Sequence, residues 1–290
     1  MKILYILIFV LIIIMINSRP NVELFDSTYY IKNLEPKIIH NENAKIAFVY
    51  LFTDNIYDYC KHSIKNILAY CNVYDYAFIV YDEVFNDDVS PCWNKIPAIM
   101  NNLQKYDYLV WIDADAIINN FNISIESIID LSPGKDLYLC EDVVMETECI
   151  NSGIMIIKNT EWTIDIFNKT WNSSFYHEHN DQNVLFNVIV QDVYPDSESS
   201  LKYNEYCHKN IHPKVFICPE NTFNCYIKNL LKDDFIIHLM GASKETRINV
   251  MRQVNTKIGL DNYDVTNCVD ILDNYNESDR VTQIINNCII

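Results

Sequence analysis

Two aspartates, Asp113 and Asp115, stand at the end of the apolar run Tyr108 to Ile112. Such a run reads as a buried strand, and carboxylates at its mouth need a partner. Alternation along an extended segment sends side chains to opposite sides, so the pair need not chelate one ion together. One carboxylate then meets a divalent cation while the other takes a hydroxyl. That arrangement suits the diphosphate and sugar of an activated nucleotide sugar beside a metal, and it makes glycosyl transfer the leading expectation. Asp-x-Asp is also a common turn with side-chain caps, so the motif needs company.

Further stretches supply that company. Lys95 opens a helix just before the Asp-x-Asp strand, where its ammonium can approach a phosphate. Asn151, Ser152 and Gly153 precede an apolar strand and offer side-chain and backbone donors to a sugar. His238 closes the apolar run from Phe235, and Gly241 permits a tight turn after it. Asp113, Asp115 and His238 form a candidate metal set, and an imidazole with carboxylates suits Mn²⁺ (or Mg²⁺) better than Ca²⁺. Asp181 and Gln182 begin a helix; Asp181 suits a helix cap or the orientation of a sugar hydroxyl. His177 and His179 lie in a polar stretch and read as solvated.

The elements that must position these groups alternate. A strand over 47–52 is followed by a helix over 57–70, with Cys60, Ile64, Ile67, Leu68 and Cys71 on one face. A strand over 76–81, a helix over 94–106 and the strand at 108–112 follow. Farther on, strands are expected at 136–141, 153–158, 214–218 and 235–239, and helices at 161–171, 181–190 and 243–258. Strands this continuously apolar are covered on both faces. The expectation is an α/β fold, three layers α/β/α around a mostly parallel central sheet, with ligands beyond the carboxyl ends of its strands.

Composition narrows the function. The chain has 290 residues, half of them hydrophobic, and a net charge of -17, which disfavours nucleic acid as a partner. Few cations remain to neutralise a diphosphate, which favours a bridging divalent ion. Only four glycines occur, too few for a glycine-rich phosphate loop or a dinucleotide fingerprint. The apolar run at residues 3–16 is short for a span and lacks a small-residue cleavage site, so residues 1–17 read as a signal anchor or signal peptide. Residues 18–42 read as a stem, 43–259 as the catalytic domain and 260–290 as a polar tail. Ten cysteines in a luminal chain imply disulfide bonds.

Taken in order, Trp93-Asn-Lys-Ile-Pro-Ala98, Trp111-Ile-Asp-Ala-Asp-Ala116, Asn151-Ser-Gly153, Asp181-Gln182 and His238-Leu-Met-Gly241 resemble glycosyltransferase family 34. The family includes fungal α-galactosyltransferases and plant xyloglucan xylosyltransferases. The resemblance implies a GT-A fold, a nucleotide-sugar donor such as a UDP-sugar, a glycan acceptor, Mn²⁺ and retention of anomeric configuration. It also implies a type II membrane protein of the Golgi or ER, with a homo- or hetero-oligomer possible. By position, Asp115 and His238 bind the metal and Asp113 contacts the donor. Lys95 and Asn151 line the donor site, and Asp181 and Gln182 lie near the anomeric carbon. The segment after Gly241 departs from the pattern, because Ala242 and Ser243 precede Lys244; Lys244 or Arg247 is then expected to face the diphosphate. Family 8 shares the Asp-x-Asp and the late His-x-x-Gly. Two rival readings are a degenerate, carbohydrate-binding subunit and a haloacid-dehalogenase-like phosphotransferase.

Overall fold

A computed structural model describes residues 31–142, 150–173, 180–195 and 212–260. The N-terminal apolar run, residues 18–30 of the expected stem, Cys149, His177, His179 and the tail beyond residue 260 lie outside these. Among the described residues, no helix is long and apolar enough to cross a membrane.

The order is β1 (Lys37–His40), β2 (Ile46–Leu51), α1 (Tyr57–Tyr74), β3 (Ala77–Tyr81), α2 (Lys95–Leu103), β4 (Tyr108–Ile112) and β5 (Ala116–Ile118). It continues with α3 (Ile125–Ile129), β6 (Leu137–Glu141), β7 (Ile150–Lys158), α4 (Glu161–Trp171) and α5 (Asp181–Val193). Last come β8 (Val215–Cys218), β9 (Cys225–Tyr226), β10 (Ile236–His238) and α6 (Lys244–Lys257). The large sheet runs β1-β3-β2-β4-β7-β6-β8, and a small one runs β5-β10-β9. In the large sheet β1 and β7 oppose the other strands, which share one direction. The fold is α/β with a mostly parallel central sheet.

Period-two alternation builds the layers. Ala47 and Val49 of β2 join Leu109 and Trp111 of β4 on one face, where α2, α4 and α5 pack. Phe48, Tyr50, Val110 and Ile112 occupy the other face, against α1, α6 and the small sheet. Local chemistry sets the helix ends. Asp75 adopts a left-handed conformation (φ 59°) and stops α1, its N–H bonding the Cys71 carbonyl. Thr160, Asn180 and Ser243 cap α4, α5 and α6.

Three expectations meet these elements. Within the expected stem, Lys37–His40 form an edge strand antiparallel to β3, and the Lys32 N–H donates to the Phe85 carbonyl. Asn151 and Ser152 do not precede the strand expected at 153–158 but belong to it: β7 starts at Ile150, and Asn151 pairs with Cys140. The six described cysteines, at 60, 71, 92, 140, 218 and 225, are free thiols, although Cys140 and Cys218 are direct partners across β6 and β8.

Candidate active site

The site forms where β4 ends. Asp113 leaves the strand with its N–H bound to the Gly153 carbonyl at 2.8 Å, and its own carbonyl accepts from the Ala116 N–H at 3.0 Å. The Asp115 carbonyl accepts from the Leu239 N–H at 2.9 Å, so the end of β10 closes onto the turn. From behind, α1 holds the segment that follows. Ser63 Oγ donates to the Ala116 carbonyl at 2.6 Å, and the Asn66 amide bonds both the N–H (2.8 Å) and the carbonyl (3.0 Å) of Ile118.

Both carboxylates face the same side as His238, so they converge instead of dividing between cation and hydroxyl as alternation suggested. His238 Nε2 lies 3.2 Å from Asp115 Oδ1 and 3.8 Å from Asp113 Oδ2. Ligand atoms of the three all fall within 4.8 Å of one another. Two carboxylates and an imidazole fit a borderline or hard divalent ion such as Mn²⁺ or Mg²⁺. Gly153 makes room for this convergence: a Cβ there would stand 2.2 Å from His238 Cε1 and 2.9 Å from Asp113 Oδ2.

Electrostatics separate the members. Burial pushes the Asp115 carboxyl up, but His238 and Arg247 outweigh it and hold the group at about 2. For Asp113 burial prevails over Lys95 and His238, and its pKa is raised. Burial lowers the His238 pKa, yet Asp115 and then Asp113 more than offset this, raising it. His238 faces Asp115 Oδ1 with Nε2 at 3.2 Å. Its other nitrogen, Nδ1, donates to Asn224 Oδ1 at 3.0 Å. The Asn224 amide is oriented in turn, because its Nδ2 donates to Asn151 Oδ1 at 2.8 Å. The Nδ1 proton is thus fixed, and Nε2 is the nitrogen left to meet an ion.

A second cluster faces the first. Buried Lys95 donates to Asp181 Oδ2 (3.0 Å), approaches Asp113 Oδ1 (3.4 Å) and reaches Ser152 Oγ (3.2 Å). Burial lowers the Lys95 pKa, but Asp113 and Asp181 reverse this and raise it, so the ammonium stays charged. Asp181 is not the cap of α5, since Asn180 takes that part and leaves the Asp181 carboxylate to Lys95 and Ser152 Oγ (2.8 Å). Gln182 Oε1 accepts from the Ser152 N–H at 2.9 Å. Asn151 lines the cleft with its amide committed inward, to Asp142 Oδ2 at 3.1 Å and to the Gly153 N–H at 2.9 Å.

These groups line one cavity of about 420 Å³, which also takes in Cys92, Asp142, Tyr226 and Met240. That volume lies within the range of small-molecule sites. Lys95, Asp113, Asp115, Asn151, Ser152, Gly153, Asp181, Gln182, His238 and Gly241 all border it. Lys244 does not: it pairs with Asp58 on the surface, both side chains about half exposed. Gly241 turns with φ 69°, which carries α6 away from the cleft. Arg247, one turn later, does not border the cavity either, but its Nη2 lies 2.7 Å from Asp115 Oδ2, so it joins Lys95 as a cation against the metal set. Asp142, Asn224 and Tyr226 were not expected, because each is an ordinary polar residue in a loop or at a strand end.

The model of the galactosyl transferase GMA12/MNN10 family matches residues 38–136, which include β1 through the Asp-x-Asp turn. Over residues 38–136, about a third of its length, the chain is similar to that family. A probable alpha-1,2-galactosyltransferase, gmh1, of Schizosaccharomyces pombe is 34% identical over 104 residues, 35% of this chain and 29% of the relative. An uncharacterized alpha-1,2-galactosyltransferase of the same yeast is 25% identical over 234 residues, 64% of this chain and 57% of the relative. Xyloglucan 6-xylosyltransferase 4 of Arabidopsis thaliana is 21% identical over 123 residues, 37% of this chain and 22% of the relative. The matched part of the chain thus spans less than two thirds of each of these relatives. Among solved structures, a glycosyltransferase involved in glycosylation of the major capsid of PBCV-1 superposes with a TM-score of 0.55 at 20% identity, covering 72% of this chain and 98% of that one. The bifunctional WbbM gives 0.50 at 13% identity, over 86% and 54%. These likenesses establish the GT-A fold.

Proposed function

We propose that the protein is a metal-dependent glycosyltransferase that moves a hexose or pentose from a nucleotide sugar to a glycan or glycoprotein acceptor with retention of configuration. The observation that carries this reading is the convergence of Asp113, Asp115 and His238 at the carboxyl end of β4, in one cleft with Asp181 and Gln182. A divalent ion held by the three, Mn²⁺ or Mg²⁺, would supply positive charge beside a departing diphosphate. Lys95 holds Asp113 and Asp181 apart at fixed distances and keeps both oriented toward the cleft. The Ser152 N–H aligns the Gln182 amide in the wall.

The same contacts bear on stereochemistry. The Asp181 carboxylate is 6% exposed in its side chain and bound by a buried ammonium and a hydroxyl, which makes it a poor nucleophile. Gln182 carries an amide, poorer still. A same-face displacement, with the leaving phosphate accepting the acceptor's proton, needs neither as a nucleophile. The apolar run at residues 3–16 supports a single-pass type II protein of the Golgi or ER membrane, with the catalytic domain luminal.

The decisive experiment measures nucleoside diphosphate released from a panel of nucleotide sugars with Mn²⁺ or with EDTA. Manganese-dependent release from one donor is expected, and Asp115→Asn is expected to abolish it. No release from any donor, together with no thermal shift on adding Mn²⁺ and uridine diphosphate, sinks the reading.

A further inference from the structure

The cleft holds four carboxylates, at Asp113, Asp115, Asp142 and Asp181. Lys95 answers Asp113 and Asp181. Asp115 is answered by Arg247, whose Nη2 donates to Oδ2 at 2.7 Å, while His238 takes Oδ1 at 3.2 Å. The guanidinium is held in place. Its Nε donates to the Leu239 carbonyl at 3.2 Å, and its carbon lies 5.1 Å from the centre of the Tyr59 ring. Arg247 therefore stands on an oxygen of the metal set as a fixed positive charge that cannot be lost by deprotonation. A divalent ion on the same carboxylate would face that charge at close range, which is strongly unfavourable where water is sparse. Arg247 does not line the cavity but stands at its edge on Asp115, which does; a diphosphate drawn to an ion on Asp115 relieves the conflict, because its oxygens can take the guanidinium in a bidentate pair while the ion keeps Asp115.

Resting on the transferase reading above, we infer that Arg247 is a resident counter-cation: it occupies Asp115 in the empty site and yields it to the metal only when a diphosphate takes over the guanidinium. Arg247 thereby makes metal and nucleotide binding cooperative. Lys244, with its charge turned to Asp58, does not share this task.

The test is calorimetric titration of Mn²⁺, alone and with saturating uridine diphosphate, into the wild-type chain, Arg247→Gln and Arg247→Lys. In the wild type, uridine diphosphate is expected to tighten Mn²⁺ on the order of tenfold or more, the usual size of such coupling. Arg247→Gln is expected to bind Mn²⁺ alone roughly tenfold more tightly and to lose most of the coupling. Arg247→Lys keeps the charge and is expected to keep the weak binding of Mn²⁺ alone. Mn²⁺ affinity in Arg247→Gln equal to or below wild type, with coupling intact and both variants folded by circular dichroism, overturns the inference and leaves the transferase reading standing. Failure of the wild type to bind Mn²⁺ under either condition overturns both.

Discussion

Gly153 shows how much of the site rests on one missing side chain. Its φ is unexceptional, so the residue is needed for space and not for backbone freedom. Gly153→Ala puts a methyl 2.2 Å from the His238 ring, and the ring must leave its place between Asn224 and Asp115. Mn²⁺ affinity is expected to fall roughly ten- to a hundredfold, as when the orienting partner of a ligand is removed. Titration calorimetry checks this, and unchanged affinity would show that His238 is not a ligand. At this scale Asp113, Asp115 and His238 were legible because carboxylates and an imidazole ending apolar runs are chemically conspicuous. Asn224 was not. It lies 14 residues before His238 and meets the ring only once β9 pairs parallel with β10. Arg247 was legible as a charge, but its reach to Asp115 depends on where α6 starts, which Gly241 and Ser243 decide.

Between elements, the strut from α1 to β5 carries the Asp-x-Asp turn. Asn66 is fully buried and treats Ile118 as a neighbouring strand would, accepting from its N–H and donating to its carbonyl. The same amide donates to Asn255 Oδ1 on α6 at 3.1 Å. Asn66→Ala leaves those buried groups unmatched and is expected to cost about 1–3 kcal/mol, read from urea unfolding monitored by circular dichroism. A loss below about 0.5 kcal/mol, the range of an ordinary surface change, would mean that water or a shifted side chain replaces the amide. The helical stripe of apolar residues located α1 well, yet it passed over Ser63 and Asn66. Two polar residues on the buried face carry no periodic signal, and only the strand behind them explains their presence. Asn151 and Ser152 misled for a related reason: small polar residues carry no strand signal until β6 pairs beside Asn151 and the Asp113 N–H reaches the Gly153 carbonyl.

For the molecule as a whole, alternating strands and helices with two-sided burial gave away the α/β class before any contact was known. The free cysteines among the described residues did not show themselves, since an even count says nothing of where thiols lie. For five of the six described, burial inside strands and α1 does; Cys92 lies half-buried in a turn before α2. The division into two sheets has its own consequence. Asp113 extends from the large sheet, while His238 ends the small one. Anything gripping Asp113, Asp115 and His238 together is thus a further crosslink between two sheets already joined by packing, the Asp-x-Asp turn and the Asn224–Asn151 hydrogen bond. Mn²⁺ with uridine diphosphate is expected to slow amide hydrogen exchange in Ala116–Ile118 and Ile236–His238 more than in β2 or β3, by a factor that grows with ligand concentration. Uniform slowing across both sheets would show that they already open as one unit. Differential slowing would make the bound ion a rivet, and the chain stripped of it a looser object whose small sheet drifts against the large one.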